Sequence, residues 1–469
     1  MIRFDNRTGP AEAAPAAAYP ELPIPEWFRD AKLGLFVHWG LYSVPAWADV
    51  LDRSDVTAEN AYARHQYAEW YANTVRIPGS PTHERHENLY GVGCSYEDFA
   101  DQWKPEAGAC EAIADLAVRA GARYLVPTTK HHDGFCLWGS STTAFTAAHR
   151  GPRRDLIGEL AQATRTRGLR FGVYFSGALD WHASDFPPIT SHEDLFALRR
   201  NDPAFAAYVA AQLRELIERY SPSILWNDIE WPDAGKTLGP DSLPTLFSEY
   251  LRQVPDGMIN DRWGAPVQGV RTREYEDLDA VQADVFESTR GLGLSFGFNR
   301  DESSDHALDA PALVRLLADV VSKNGNLLIN VGPRADGSVP ELQRTALEGL
   351  GDWLRVYGEA IYGTRPWEAP EAAVPPTGLR FTMSADRLHL LLLTPTEGPV
   401  PLERELSQAV RGVAQVDGGA DGSGPRLEEH DGSLVVVPGD DPALPSSLTG
   451  YSEAGPGEWV QVLSFPRRR

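Results

Sequence analysis

Lys32-Leu33-Gly34-Leu35-Phe36-Val37-His38-Trp39-Gly40 runs without polar alternation from Leu33 to Val37 and then stops abruptly on a histidine. A strand that is apolar on both faces belongs inside a parallel sheet, because helices cover such a sheet on either side. Runs of the same texture recur at Tyr124 to Thr129, Leu169 to Ser176, Ile224 to Asp228, Met258 to Arg262 and Leu327 to Val331. Helical spacing fills the intervals. Phe205, Tyr208, Val209, Leu213, Leu216, Ile217 and Tyr220 share one face, behind Asp202 and Pro203 at cap and first-turn positions. Asp309 to Lys323 reads the same way with Gly325 as its stop, and Leu342 to Ile361 is the last long helix. From about Ala31 to Tyr362 the alternation is that of βα units, and the units lack sequence self-similarity, which excludes a solenoid. The fold class is α/β: a (β/α)8-like TIM barrel.

After Gly363 the texture changes. Thr364 to Pro376 contains Pro366, Pro370, Pro375 and Pro376 and suits a linker. Beyond it Leu379, Phe381 and Met383, then Leu388, Leu390 and Leu392, alternate with their neighbours, and Leu434 to Val437 and Trp459 to Phe465 add apolar segments. A small C-terminal β-sandwich is expected, with Gly418 to Gly424 as a loop. The division is a catalytic barrel domain over residues 1–365 and a sandwich domain over 366–469.

Composition narrows the function. The 469 residues are 42% hydrophobic, which excludes a collagenous or disordered chain. A formal charge of -23 repels phosphate backbones and anionic bilayers, so neither nucleic acid nor membrane is an expected partner. Cys94, Cys110 and Cys136 form no CxxC pair, which argues against a disulfide framework or a structural zinc site. The stretch Ala11 to Ala18 is broken by Glu12 and Pro15, too weak for a signal peptide. A cytoplasmic enzyme is the expectation, and a homo-oligomer is compatible with the chain.

Catalytic groups of an α/β barrel sit at the C-terminal ends of its strands. Here those ends read His38-Trp39, Lys130-His131-His132-Asp133, Tyr174, Trp226-Asn227-Asp228 and Asn260-Asp261-Arg262-Trp263. An aspartate in such a place is as often a helix cap as a nucleophile. Its neighbours change the weighing: Trp226 beside Asp228, Trp39 beside His38 and Trp70 beside Glu69 offer flat aromatic surface for a pyranose and charged acceptors for its hydroxyls. Glycoside hydrolysis needs a second carboxyl group across the scissile bond, and Glu274, Glu276 and Glu287 are candidates among which spacing does not choose.

Two rival readings share the barrel. A metal-dependent hydrolase would use His131, His132 and Asp133, but adjacent residues of an extended segment point to opposite sides, and no His-x-His or HExxH accompanies them. A non-catalytic carbohydrate-binding protein on the same scaffold would not need the several carboxylates near Asp228. Neither a metal nor another cofactor is expected.

The chain resembles glycoside hydrolase family 29, the retaining α-L-fucosidases, over nearly its whole length. The blocks that carry the resemblance are Lys32 to Gly40, Lys130 to Phe135, Leu225 to Asp228, Ser295 to Arg300 and Asn326 to Pro333. It implies an enzyme hydrolysing terminal α-L-fucosides by double displacement, with Asp228 as nucleophile and Glu274, in Thr272-Arg273-Glu274-Tyr275, as acid/base. Glu287 is the rival for that second role. It implies a sugar subsite of His38, Glu69, Trp70, His131, His132, Tyr174, Trp226 and Arg262, with Phe296 against the C5 methyl of fucose. Ile229-Glu230 follows the nucleophile where relatives vary, and Glu230 is expected as a third carboxylate near the mouth.

Overall fold

The computed structural model describes residues 13–51, 55–367, 376–393, 398–416, 425–439 and 459–468. Eight strands form one sheet: β1 (Leu33–Val37), β2 (Tyr124–Lys130), β3 (Arg170–Ser176), β4 (Ile224–Asp228), β5 (Met258–Ile259), β6 (Arg271–Glu274), β7 (Phe286–Gly291) and β8 (Gly325–Val331). Their spatial order is β5-β4-β3-β2-β1-β8-β7-β6, every pairing parallel. The sheet curls until its edges meet at a parallel bridge between Asn260 and Val270, where Val270 N donates to the Ile259 carbonyl at 2.9 Å. This is the TIM-like barrel expected from the apolar runs.

The helices confirm their caps. Asp202 Oδ1 accepts from Phe205 N at 3.0 Å ahead of Pro203–Tyr220, and Asp309 Oδ1 accepts from Ala312 N at 2.8 Å ahead of Ala310–Ser322. The stop of the second helix is not Gly325. Asn324 takes the left-handed turn at φ 77°, an angle an Asn tolerates, and Gly325 already opens β8. The last long helix spans Glu341–Tyr357.

Three readings of the strands need correction. Met258 to Arg262 is strand only at Met258–Ile259, so Arg262 lies in the turn beyond it. Two barrel strands, β6 and β7, have no counterpart among the apolar runs. No helix follows β5 or β6, which leaves the outer face of Arg271–Glu274 partly open to water, and its sequence is accordingly polar.

The barrel interior is a stack of aromatic side chains: Phe36, Tyr124, Tyr174 and Trp226 pack together, and Phe28 of Glu26–Ala31 belongs to the same cluster. Gly34 makes room for that stack, since a Cβ there would stand 2.2 Å from the Tyr124 ring. Gly34→Ala should therefore destabilise the fold by about 1–3 kcal/mol, the usual cost of an overpacked core, read as a lowered Tm.

Among the described residues the C-terminal part holds two antiparallel sheets. One comprises Arg365–Pro366, Leu379–Met383, Arg387–Leu392 and Gln461–Pro466; the other comprises Val400–Pro401, Arg426–His430 and Ser433–Val437. A helix, Arg404–Val413, was not anticipated, and its Leu406 and Val410 join Phe381, Leu390, Leu434 and Val436 in one apolar cluster between the sheets. The expected linker begins instead as strand, with Arg365 and Pro366 opposite Met383 and Thr382. Residues 368–375 of that linker, and the loop expected at Gly418 to Gly424, lie outside the described residues. Thr382 Oγ1 donates to the Ala360 carbonyl at 2.7 Å and Trp353 Nε1 to the Val460 carbonyl at 3.1 Å, tying this part to the barrel. No helix of the described residues is long and apolar enough to cross a membrane.

Candidate active site

At the C-terminal end of the ring lies a cavity of about 110 Å³. His38, Glu69, Trp70, His131, His132, Tyr174, Trp226, Asp228, Arg262, Glu274 and Phe296 all line it, so the structure brings every expected site residue together. The strands explain how. Phe36 and His38 are two apart at the end of β1 and both face inward, whereas Trp39 faces out and buries its ring 5.3 Å from that of Trp103. Trp39 is thus not part of the sugar surface expected of it.

Asp228 ends β4 with its side chain 13% exposed. Its Oδ1 accepts from Arg262 Nη1 at 3.1 Å and from Ile229 N at 3.0 Å, while Oδ2 accepts from Tyr174 Oη at 2.9 Å and faces His132 Nε2 at 3.7 Å. Burial alone would push this carboxyl up, but Arg262, His132 and Tyr174 outweigh it and hold the group below the usual carboxylate range. Glu274 ends β6, 31% exposed, with Oε2 3.0 Å from the same Arg262 Nη1 and Oε1 accepting from Tyr67 Oη at 3.4 Å.

Glu287, the rival, is sealed inside the barrel. Its Oε1 accepts from Tyr124 Oη at 2.6 Å and its Oε2 from Trp226 Nε1 at 2.9 Å, and burial pushes its carboxyl up to about 7. It is absent from the cavity wall and anchors the Trp226 ring instead. Glu276 lies outside, 3.4 Å from Arg273. Glu230, expected as a third carboxylate near the mouth, follows the cavity-lining Ile229 but is not itself on the wall, and it pairs with Lys236 at 3.0 Å and Arg199 at 3.1 Å.

The two adjacent histidines correct another expectation. Both line the cavity, their rings 4.1 Å apart, because the chain leaves β2 at Lys130 and the alternation of an extended segment no longer applies. His131 stacks on Tyr174 with a 5.6 Å centroid separation, and His132 Nδ1 bonds Ser176 Oγ at 2.7 Å. His38 Nδ1 bonds Asn330 Oδ1 at 2.7 Å. Burial pushes His38 down to about 3 and His132 to about 4, so both stay neutral near pH 7. Asp133 turns away to accept from Tyr96 Oη at 2.7 Å, on the wall of a separate cavity of about 390 Å³ that contains neither Asp228 nor Glu274. His131, His132 and Asp133 therefore do not converge, and the described residues hold no group of three His, Cys, Asp or Glu side chains spaced for a metal ion.

Glu69 is fully buried, accepting from Gly297 N at 2.7 Å and Ser295 Oγ at 3.1 Å, and burial pushes it up to about 7. Five further residues line the cavity without having been singled out: Phe36, His65, Tyr67, Ile229 and Thr289. His65 lies flat on Trp70 at 4.6 Å, and Tyr67 meets Phe296 edge-on at 5.5 Å. The only signal for His65 and Tyr67 in the sequence was the density of aromatic and imidazole groups just ahead of Glu69-Trp70. Thr289 Oγ1 and His131 Nδ1 are buried with no hydrogen-bond partner among the described residues.

An arginine between two carboxylates, ringed by neutral imidazoles and tryptophans, fits a polyhydroxylated ring whose anomeric carbon sits between the acids. Comparison with known proteins agrees. The Alpha-L-fucosidase family model matches residues 11–359. The crystal structure of Thermotoga maritima α-fucosidase in complex with a mechanism-based inhibitor is 41% identical, with a TM-score of 0.78 over 94% of this chain and 96% of that one. Its complex with fucose is 40% identical, with a TM-score of 0.78 over 94% and 97% of the two chains. The tissue α-L-fucosidase of Rattus norvegicus is 34% identical over 356 residues, 74% of this chain and 71% of the rat protein. With the family model spanning the barrel and its site, this chain belongs to the α-L-fucosidase family of glycoside hydrolases.

Proposed function

We propose that the chain releases L-fucose from terminal α-L-fucosides with retention of configuration, Asp228 acting as nucleophile and Glu274 as acid/base. One observation carries this reading. Both carboxylates touch the same Arg262 nitrogen, at 3.1 and 3.0 Å, so their nearest oxygens are no more than about 6 Å apart, short of the roughly 6.5–9.5 Å an inverting enzyme needs for its water. Asp228 is kept ionised at neutral pH, as a nucleophile must be.

In the first step a carboxylate oxygen of Asp228 bonds to the anomeric carbon while the glycosidic C–O bond breaks and Glu274 gives its proton to the leaving oxygen. In the second, Glu274 takes a proton from water, the water oxygen bonds to the anomeric carbon, and Asp228 leaves as carboxylate. His38, His131 and His132 bind hydroxyls; His38 and His132 remain neutral and commit Nδ1 to Asn330 and Ser176, so Nε2 is the nitrogen each leaves for the sugar. Glu69, Trp70, Tyr174, Trp226 and Arg262 complete the subsite, and Phe296 forms the wall for the methyl group. No step calls for a cofactor. The capture of the Thermotoga maritima relative by a mechanism-based inhibitor supports a covalent course.

We further assign the chemistry to residues 1–365 and a bracing role to 366–469, supported by the hydrogen bonds to Ala360 and from Trp353. A cytoplasmic location is supported by Cys94, Cys110 and Cys136 all being free thiols. The test of the mechanism is labelling with 2-fluoro-fucosyl fluoride followed by peptide mapping, together with NMR of the first-formed sugar. A label on Asp228 and α-L-fucose as first product are expected; a label elsewhere, or β-L-fucose, overturns the reading.

A further inference from the structure

Arg262 serves two carboxylates with one nitrogen, and a side chain in that position must not swivel. Its guanidinium lies over Trp226, 4.7 Å from the ring centroid. Stacking sets the height of the group but leaves it free to turn in its own plane. The turn is stopped at Nε, which donates to Thr272 Oγ1 at 2.8 Å. The Thr272 hydroxyl has one proton, and it goes to Asp261 Oδ1 at 2.8 Å, which leaves a lone pair for Arg262. Asp261 Oδ1 also accepts from Thr272 N at 3.1 Å, so the threonine is held at both ends. Thr272 stands on β6 two residues before Glu274, and it does not line the cavity.

We infer that Thr272 is a positioning residue for the reaction: by clamping Arg262 Nε it aims Arg262 Nη1 at Asp228 and Glu274 together. The inference rests on the roles proposed above for those two acids. Its consequence for pH follows from what surrounds them. Asp228 is faced by Tyr174 from β3, His132 from the turn after β2, His38 from β1 and Arg262 from the turn after β5. Arg262 is faced by Glu274, Asp228, the buried Glu287 and the nearby Asp261. A guanidinium free to swing gives the Asp228 carboxylate less support against burial, so its proton is lost only at higher pH.

The experiment compares Thr272→Val, Thr272→Ala and Thr272→Ser over a full pH profile on an aryl α-L-fucoside. The two variants without the hydroxyl should lose about 10- to 100-fold in kcat/KM, mostly in kcat, because the reacting groups are misaimed. Their acid limb should move to higher pH, and Thr272→Ser should restore both rate and limb. The inference is overturned by a Thr272→Val enzyme with the wild-type rate and acid limb, by a serine variant as impaired as the valine one, or by failure of both Val and Ala variants to fold while Ser folds. Labelling of the wild-type enzyme away from Asp228 would instead sink the underlying roles, so the two failures are told apart.

Discussion

Asp228→Gly will lower kcat/KM by about 10⁴-fold or more on an aryl α-L-fucoside, the scale on which removal of a covalent nucleophile acts. Burial makes the loss specific. The carboxylate is enclosed by Arg262, Tyr174 and His132, and among the described residues the other acids on the cavity wall are Glu69, held by Gly297 and Ser295, and Glu274, held by Arg262 and Tyr67. Glycine leaves a space beside the anomeric carbon, on the face opposite the leaving group. Added azide should enter that space and displace the aglycone in a single step, giving β-L-fucosyl azide, the inverted product. Product NMR checks this. A variant that keeps more than about a hundredth of the wild-type rate, or gives only the α azide, would remove Asp228 from the nucleophile's role.

The same carboxylate sets a stability dependence. Its folded value lies below the ordinary one, so its contribution is present above the unfolded value of about 3.9 and is lost as pH falls through the folded value. Acid below pH 4 therefore weakens this part of the barrel mouth.

How much of this was legible follows from what each segment buries. β1, β2, β3, β4 and β8 are covered by helices outside and packed aromatics inside, so their sequences are continuous apolar runs and their ends stand out. β6 and β7 read Arg271-Thr272-Arg273-Glu274 and Phe286-Glu287-Ser288-Thr289-Arg290-Gly291, polar because one lacks a covering helix and the other turns Glu287 onto Trp226. No apolar periodicity could find them, so spacing left Glu274, Glu276 and Glu287 equal, and only the barrel shows that Glu274 alone of the three lines the cavity. Trp39 was misread although the pleat held the answer: with Phe36 and His38 facing in, Trp39 had to face out. His65 and Tyr67 reach the cavity from a loop whose path no local pattern specifies.

Glu274→Gly should separate the two steps of the reaction. Leaving oxygens that need a proton, as in an oligosaccharide, should depart about 10²- to 10⁴-fold more slowly. An activated aryl leaving group needs no such proton, so its first step should be nearly unaffected, and the fucosyl enzyme should accumulate because water lacks its base. Azide needs no base. It should attack the fucosyl-Asp228 intermediate and restore turnover, and two inversions give α-L-fucosyl azide, the anomer opposite to that from Asp228→Gly. Glu287→Gly makes the contrast, since its carboxyl holds the Tyr124 and Trp226 side chains and has no path to a bound sugar. That variant should show a lower Tm and no rescue. Glu276→Gly, which loses only a surface pair with Arg273, should keep nearly wild-type rates. Rescue at position 287 and none at 274 would transfer the acid/base role to the buried glutamate, and the short bridge through Arg262 would then be a binding contact alone.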